Sequence, residues 1–218
     1  MIPRIIHQLW IGDQSKRPVR LMDTWKDLNP SCHYMLWTEP VLKNFEFRNQ
    51  KQIDDMTELN GKCDIMRFEI LHKYGGIFID ADSECLNTLD DFFFEEIRWT
   101  CWENELLSKD PDGTVLVSAS IMACEPVDPF FYYCIHELGM IDMKGKMGWQ
   151  ASGCRFFTDM IAKRAETLPM KIYPSHYFIP RHAIQVVLKQ PGYSGSEKVY
   201  ARHHWGSTFQ NYGTKDML

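Results

Sequence analysis

The feature that most constrains the fold is a helical pattern that leads directly into a buried strand. In the run GKCDIMRFEILHKYGG, Ile65, Phe68 and Leu71 recur three residues apart and predict one apolar face of a helix. Gly75 or Gly76 then provides the left-handed residue that commonly ends a helix. The apolar run IFI follows at once. The stretch therefore predicts a helix that is joined to a buried strand by a tight glycine turn.

Two carboxylates stand where this strand ends. Side chains alternate along a strand, so Asp80 and Asp82 share one side in IFIDAD while Ala81 faces the other. Ligands of α/β folds bind at the carboxyl ends of strands, and we expect a ligand here. Two like charges this close repel each other, so a cation is their natural partner. Oxygen ligands select Mg²⁺ or Mn²⁺.

Strand and helix patterns alternate along the rest of the chain. The predicted strands lie near residues 3–10, 33–38, 76–81, 97–103, 115–124, 170–173 and 198–204, and the predicted helices near 18–28, 61–74, 128–139 and 153–166. This alternation predicts an α/β sandwich with a mostly parallel, buried central sheet. A length of 218 residues without a repeat or a linker predicts one domain over residues 1–218.

Composition excludes several classes of protein. The net charge of −5 argues against a nucleic-acid binder, which would show a basic face. No apolar run approaches transmembrane length, and Met1 leads almost directly into the strand-like IPRIIHQLW, so neither membrane insertion nor a secretory signal is predicted. The 7 cysteines are odd in number and lack a CxxC pair, which favours reduced thiols and a cytoplasmic location.

A DxD sequence alone is compatible with several functions. The simplest is a pair of solvated residues that cap a turn. In a glycosidase the two carboxylates flank the scissile bond, whereas neighbours on one strand point in parallel. An aspartate-nucleophile phosphatase usually has Thr or Val two residues after the DxD, where this chain has Glu84. In a nucleotide-sugar transferase the pair holds a metal ion on the diphosphate. A non-catalytic domain that binds sugar nucleotides or glycans is the remaining class.

The run CDIMRFEILHKYGGIFIDAD resembles the DxD glycosyltransferases of the capsular-polysaccharide and outer-chain mannosyltransferase type. These are related to the glucosylating domains of large clostridial toxins. IPRIIHQLWIG is similar to the opening strand of the family, TWKDLNPSCHYMLWTE to its next helix and strand, and VYARHHW to its closing strand. The matches span residues 2–206 in the expected order. The chain also resembles the glycosyltransferases with which large DNA viruses build capsid glycans.

The resemblance implies a GT-A fold, in which a nucleotide-binding α/β half and an acceptor-binding half form one domain. It also implies four catalytic residues. Asp82 should bind the metal directly, and Asp80 should bind it directly or through water while touching ribose or sugar. Asp64 and Arg67 match positions that contact the donor sugar. The alternative for this i, i+3 pair is an exposed ion pair worth roughly a few tenths of a kcal/mol.

The opening strand should bind the base of the nucleotide. Trp10 matches the family tryptophan that stacks on uracil, with Leu9 and Gln8 beside it near the uracil edge. A tryptophan at a strand end can equally belong to the core. His7 alternates to the other face, where a structural role is expected.

A histidine far along the chain should be the third metal ligand. RHHWGS offers His203 and His204, and we favour His203 because relatives place the ligand first in such an arrangement. His204 is the alternative metal ligand, and it is also a candidate contact with the donor. The sequence departs from the family just afterwards, where STF replaces the usual Ser-Trp. Ser207 is expected to contact the phosphate, and Phe209 stands in place of the tryptophan.

Two further segments match places that line the donor site in relatives. VSASIMACEP offers Ser118 and Ser120 as contacts with the sugar. GWQASGCRF offers Gln150 and Ser152 as contacts with donor and acceptor. The alternatives are a buried strand for the first segment and the start of a helix for the second.

The function implied by the resemblance is transfer of a sugar from a UDP-sugar to a glycan or glycoprotein acceptor, with Mn²⁺ or Mg²⁺ as cofactor and retention of anomeric configuration. Relatives often carry further domains, and the same is expected here. The reaction should take place in the cytoplasm, which would be the host cytoplasm for a viral protein.

Overall fold

The computed structural model describes residues 1–107, 109 and 112–215. Its strands are β1 Ile5–Leu9, β2 His33–Trp37, β3 Gly76–Ile79, β4 Ser83–Cys85, β5 Arg98–Trp102, β6 Val117–Cys124, β7 Lys171–Tyr173 and β8 Ala201–His203. Its helices are α1 Val19–Leu28, α2 Glu39–Leu42, α3 Gln50–Asp55, α4 Leu59–Tyr74, α5 Phe92–Glu95, α6 Pro129–Gly139, α7 Gly148–Ala151, α8 Cys154–Arg164, α9 Ala183–Val187 and α10 Gly206–Phe209.

Six of the strands form the central sheet in the order β2-β1-β3-β6-β5-β7. β1 pairs in parallel with β2 and β3, and β5 pairs in parallel with β7. β6 is antiparallel to both of its neighbours, β3 and β5. The sheet is therefore mostly parallel, as predicted, with one reversed strand in its middle. The remaining strands, β4 and β8, form a small antiparallel sheet of their own.

The predicted strands and long helices are all present, with ends that shift by a few residues. The helix pattern from Val19, for example, begins after Pro18 and ends at Leu28. Short elements were missed, among them α2, α3, α5, α7, α9, α10 and β4. Elements of three to six residues contain too little periodicity to be recognised, and tertiary packing stabilises them.

The junction between α4 and β3 depends on its two glycines. Gly75 has φ +64° and ends the helix with its N–H donating to the carbonyl of Leu71, and Gly76 has φ +94°. A Cβ on Gly76 would lie 2.7 Å from the carbonyl oxygen of Ile5 on β1. Only glycine allows both the positive φ and this close approach. The turn sets β3 directly against β1.

The sheet is buried on both faces by two separate apolar clusters. Phe78 belongs to the cluster that α4, α6 and α8 cover, together with Phe68 and Phe131. Ile77 and Ile79 point the other way, into the cluster around Trp25, Phe93, Trp99 and Phe178. All four residues of β3 are therefore buried, as expected for a strand inside an α/β sandwich. Within the described residues, no helix combines the length and the hydrophobicity needed to span a bilayer.

Candidate active site

The candidate site lies where β1 and β3 end. The chain runs from β1 to β2 on one side of it and later returns to β3 on the other side, so the strand order reverses between β1 and β3. Trp10 follows β1 and Asp80 follows β3. The carboxyl ends of parallel strands at such a switch point form a natural crevice for a ligand.

Asp80, Asp82 and His203 form one cluster at this edge, with one potential ligand atom from each residue within 4.8 Å of the others. His203 Nε2 lies 3.7 Å from an Asp80 oxygen, and its Nδ1 lies 3.7 Å from an Asp82 oxygen. The small sheet brings His203 there, because Ser83 of β4 pairs directly with His203 of β8. The prediction that Asp80, Asp82 and His203 lie together is confirmed by this arrangement.

The two aspartates do not converge through alternation along one strand, and that prediction is wrong. β3 ends at Ile79, so Asp80 and Asp82 do not alternate along a strand. They belong to a turn in which the Ser83 N–H donates to the Asp80 carbonyl. Asp82 Oδ2 also accepts from the N–H of Gly206, at 2.6 Å, and thereby joins the turn to the start of α10.

The two carboxylates are balanced by cations. Burial lowers the pKa of His203, but the charges of Asp82 and Asp80 outweigh burial and the pKa is raised. Burial acts to raise the pKa of Asp80, but Arg67 and His203 more than offset it and the pKa is lowered. The neighbouring aspartates therefore favour the protonated form of His203. A divalent cation bound by His203 would compete with that proton.

Arg67 and Asp64 form a buried ion pair. The alternative interpretation, an exposed ion pair on the helix surface, is wrong. Their side chains are 4% and 10% exposed, and Arg67 Nη2 lies 2.9 Å from Asp64 and 2.7 Å from Asp80. Arg67 Nη1 donates to the carbonyl of Ala119 on β6. Burial raises the pKa of Asp64 to about 7, since the nearby charge of Arg67 offsets only part of that effect. Arg67 thus links α4, β3 and β6 at the edge of the site.

A cavity of about 690 Å³ opens beside the cluster and is lined by Leu9, Trp10, Arg67, Asp80 and Asp82, among others. The Trp10 indole donates to the Asp13 carbonyl, and Tyr212 packs edge-on against its ring with centroids 5.0 Å apart. Burial and the charges of Asp82 and Asp80 raise the pKa of Tyr212, which stays a neutral phenol. The predicted base-binding residues Leu9 and Trp10 therefore border one cavity with the acidic cluster.

Gln8 does not line this cavity, contrary to the expectation for a uracil contact. It is fully buried, its amide donates to the Asp80 carbonyl at 3.1 Å, and its carbonyl oxygen accepts from the Tyr34 hydroxyl at 2.7 Å. Its side chain therefore supports the Asp80 turn from behind. His7 points to the other face, as expected, and bonds Gly75 and Trp37.

A second, smaller cavity of about 170 Å³ lies on the other side of Asp80. Arg67, Asp80 and Ser207 line both cavities. The hydroxyls of Ser118 and Ser120 lie 2.7 Å apart and line the second cavity, and their contact with the sugar stays a prediction. Its other walls include Asp64, Glu103, Trp149, Cys154, His203 and Trp205.

Three of the predicted contacts lie elsewhere. Gln150 is exposed on α7 and lines neither cavity, whereas its neighbour Trp149 lines the second. Ser152 is fully buried and its hydroxyl donates to the carbonyls of Gly61 and Gly148, so it joins α4 to α7. His204 is bound to Glu84 at 2.8 Å. The sequence could not indicate these orientations because they depend on how short helices pack.

Glu103, Trp149, Trp205 and Tyr212 were missed as lining residues. Trp205 lies in VYARHHW, immediately after the histidines, and could have been included on that signal. It adopts φ +58°, stacks on His203 with centroids 4.5 Å apart, and donates its indole N–H to the Arg181 carbonyl. Glu103 and Tyr212 follow no motif, and only folding places them here.

The acidic cluster has a suitable set of donors for a divalent metal ion. It combines two carboxylates and one imidazole at a strand end that Arg67 also approaches. Carboxylate oxygens suit Mg²⁺ and Mn²⁺, and imidazole is compatible with Mn²⁺. Asp80, Asp82 and His203 are the residues that would hold such an ion.

Known proteins resemble this chain in sequence and in fold. It is 30% identical over 149 residues to inositol phosphoceramide mannosyltransferase 2 of Schizosaccharomyces pombe. This alignment covers 63% of this chain and 39% of that protein. It is 23% identical over 192 residues to the uncharacterized glycosyltransferase L373 of Acanthamoeba polyphaga mimivirus, covering 83% of this chain and 74% of that protein. The chain spans about two fifths of the length of the first of these relatives.

Among solved structures, the PaToxG glycosyltransferase superposes with a TM-score of 0.53 at 14% identity, covering 75% of this chain and 69% of that one. The fold is accordingly of the GT-A type, as predicted. Residues 15–99 match the model of the glycosyltransferase sugar-binding region containing the DXD motif. The resemblance inferred from the sequence is confirmed: over these residues, which include Asp80 and Asp82, the chain is similar to the DXD-motif glycosyltransferases.

Proposed function

We propose that the protein transfers a sugar from a nucleoside-diphosphate sugar to a glycan or glycoprotein acceptor, with a divalent metal ion as cofactor. One observation carries the proposal. The cluster of Asp80, Asp82 and His203 lies at the junction of a larger cavity bordered by Trp10 and a smaller polar one. A base and ribose suit the first cavity, a sugar suits the second, and the diphosphate would lie between them.

The residues at the junction suit a negatively charged leaving group. When bound, a metal ion would neutralise charge on the departing diphosphate. Arg67 presents a fixed positive charge beside Asp80, held by ion pairs on two sides. His203 supplies a further positive charge while it is protonated. Groups that are already oriented stabilise developing charge without reorganisation, which favours departure of the nucleotide.

The proposed donor is a UDP-sugar, on the resemblance of LWIG to the family's uracil-binding strand. A mannosyl donor is the second candidate, because the relative that covers 63% of this chain is named a mannosyltransferase. The name of that relative also makes an inositol phosphoceramide a second candidate acceptor. Retention of configuration, further domains and a cytoplasmic location remain proposals that rest on the resemblance and the composition.

A panel of sugar nucleotides tests this function. The purified protein is incubated with Mn²⁺ and UDP-glucose, UDP-galactose or GDP-mannose, with and without a mixed glycan acceptor, and nucleotide release is measured. We expect slow hydrolysis of one donor, faster release with an acceptor, and no release in EDTA. Hydrolysis of a phosphate monoester instead would indicate a phosphatase. Tight nucleotide binding without any release or transfer would indicate a binding domain.

A further inference from the structure

Glu103 has no role in the function described so far, yet it occupies a prominent place. It follows β5 directly and lines the second cavity with a side chain that is 15% exposed. Its Oε1 lies 3.5 Å from Nε2 of His182. Its Oε2 is buried and has no hydrogen-bond partner within the part of the chain that the structure describes.

The ring of His182 lies beside this carboxylate. Nδ1 of His182 accepts from the N–H of Ile184 at 3.3 Å, so the ring proton of the neutral form is on Nε2, which faces Glu103. The ring is 8% exposed and packs edge-on against Trp205, with centroids 5.0 Å apart. Oε1 therefore faces the ring of His182 at 3.5 Å, and Oε2 is left to accept from another group.

Several groups around the cavity are engaged elsewhere or are weak donors. The cation Arg67 is already bound by Asp64 and Asp80, and the hydroxyls of Ser118 and Ser120 bond each other. The Cys154 thiol is placed to donate a hydrogen bond to the Glu103 carboxylate, and burial, together with the charge of Glu103, raises the pKa of the thiol well above its ordinary value. A neutral thiol is only a weak donor.

A buried carboxylate oxygen without a partner is costly, so the cavity is shaped for a ligand that brings a donor. Sugar hydroxyls are such donors, and Trp149 and Trp205 provide aromatic surfaces on the same cavity. The carboxylates around this cavity also disfavour an acidic ligand. Asp64, Asp80 and Glu103 all line this cavity, and a further carboxylate placed against Glu103 would be repelled.

We propose that Glu103 accepts a hydrogen bond from a hydroxyl of the transferred sugar and restricts the second cavity to neutral hexoses. His182 positions Glu103 for this contact. The inference rests on the proposed function and extends it, because it names the class of sugar and the residue that selects it. Sugars that carry a carboxylate, such as uronic acids, are rejected by the same oxygen that binds a hydroxyl of a neutral hexose.

The test compares the wild type with Glu103→Gln, which keeps the shape and removes the charge. UDP-glucose and GDP-mannose are the neutral donors, free UDP and GDP report on the nucleotide cavity, and UDP-glucuronate is the acidic counterpart of UDP-glucose. For the preferred neutral donor we expect kcat/KM of hydrolysis to fall about tenfold, as for loss of one charge-assisted hydrogen bond. The Kd of the free nucleotide should not change.

A second readout depends on binding alone. In wild-type protein with Mn²⁺, the neutral donor should raise the melting temperature more than its free nucleotide does, and Glu103→Gln should lose that increment. Glu103→Gln should also bind UDP-glucuronate better than the wild type does, because a repulsive charge is gone. Glu166→Gln, which removes an exposed carboxylate on the surface, is the matched control and should leave every value unchanged.

Three outcomes would overturn the inference. The first is an unchanged kcat/KM and melting increment in Glu103→Gln. The second is an unchanged preference against UDP-glucuronate. The third is a higher KM for the acceptor alone, which would assign Glu103 to the acceptor. Absence of nucleotide binding by the wild type would instead contradict the proposed function, and that result precedes any measurement on Glu103.

Discussion

Two histidines, His7 inside the central sheet and His203 at the ends of its strands, have opposite surroundings. His7 is fully buried inside the sheet, where Nδ1 accepts from the Trp37 indole at 3.1 Å and Nε2 donates to the Gly75 carbonyl at 2.9 Å. His203 is 9% exposed at the strand ends, and both of its ring nitrogens face carboxylates. Burial lowers the pKa of His7 to about 4, whereas neighbouring charges raise that of His203 despite burial.

The difference separates a structural site from a functional one. Around His7 every polar atom of the ring has a neutral partner, so the group is satisfied without charge and has nothing left to bind. Around His203, two aspartates of the same charge are held close together, and Arg67 pairs with one of them. Crowded charges cost stability in the free protein and persist where a ligand uses them.

The largest expected effect comes from Asp82→Ala. Loss of a carboxylate from the cluster should reduce metal-dependent turnover at least about 100-fold, because the charge on the leaving diphosphate is no longer offset. Nucleotide release and calorimetric Mn²⁺–UDP binding measure it. Asp82→Asn keeps an acceptor for the Gly206 N–H and controls for loss of that hydrogen bond. Native turnover by Asp82→Ala in EDTA would contradict the metal site.

The next effect distinguishes the adjacent histidines. His203→Ala should weaken Mn²⁺ binding in the presence of UDP by about tenfold or more, since a ligand is lost. His204→Ala should change it little, because His204 pairs with Glu84 away from the cluster. Calorimetry on both variants gives the two affinities. Equal losses, or a larger loss in His204→Ala, would show that the wrong histidine was chosen.

The pH dependence of stability tests whether His7 is a structural, uncharged histidine. The pKa of His7 is lower in the folded state than in the unfolded chain, so its contribution to stability is lost as pH falls from about 6.5 towards 4. Between pH 7.5 and pH 4.5, the free energy of unfolding of wild type should fall by about 2.5 kcal/mol more than that of His7→Gln. Urea unfolding at both values measures this difference. Parallel pH profiles would mean that His7 titrates freely in the fold.

The last effect concerns Trp10 alone. Trp10→Ala should weaken UDP binding by about 1–3 kcal/mol, the range for loss of one base–aromatic stack. Binding of inorganic diphosphate with Mn²⁺ should stay constant, because the metal cluster is intact. Tyr212→Phe keeps the ring that packs on Trp10 and serves as the control. If diphosphate binding weakened as much as UDP binding, Trp10 would belong to the scaffold.

Much of the fold was predictable because its long elements have strong local patterns. The helix over Ile65, Phe68 and Leu71 and the strand after Gly76 were placed by spacing and by glycine chemistry. Short elements such as α7 and α9 were not, since a few residues carry no usable period. The placements of Gln150 and Ser152 depend on α7 and the residue after it. There Trp149 lines a cavity, Gln150 is exposed, and Ser152 is buried against α4.

The sequence by itself determined that two aspartates end a central strand and that a histidine pair lies far along the chain. These features are local, because a turn needs its glycines and a strand needs its apolar residues. Only the tertiary structure decided which histidine faces the aspartates, since that depends on the register of β4 against β8. It also turned Gln8 inward and placed Glu103 and Tyr212 at the cavities. Side-chain direction at a site depends on packing between distant segments, and no local pattern encodes it.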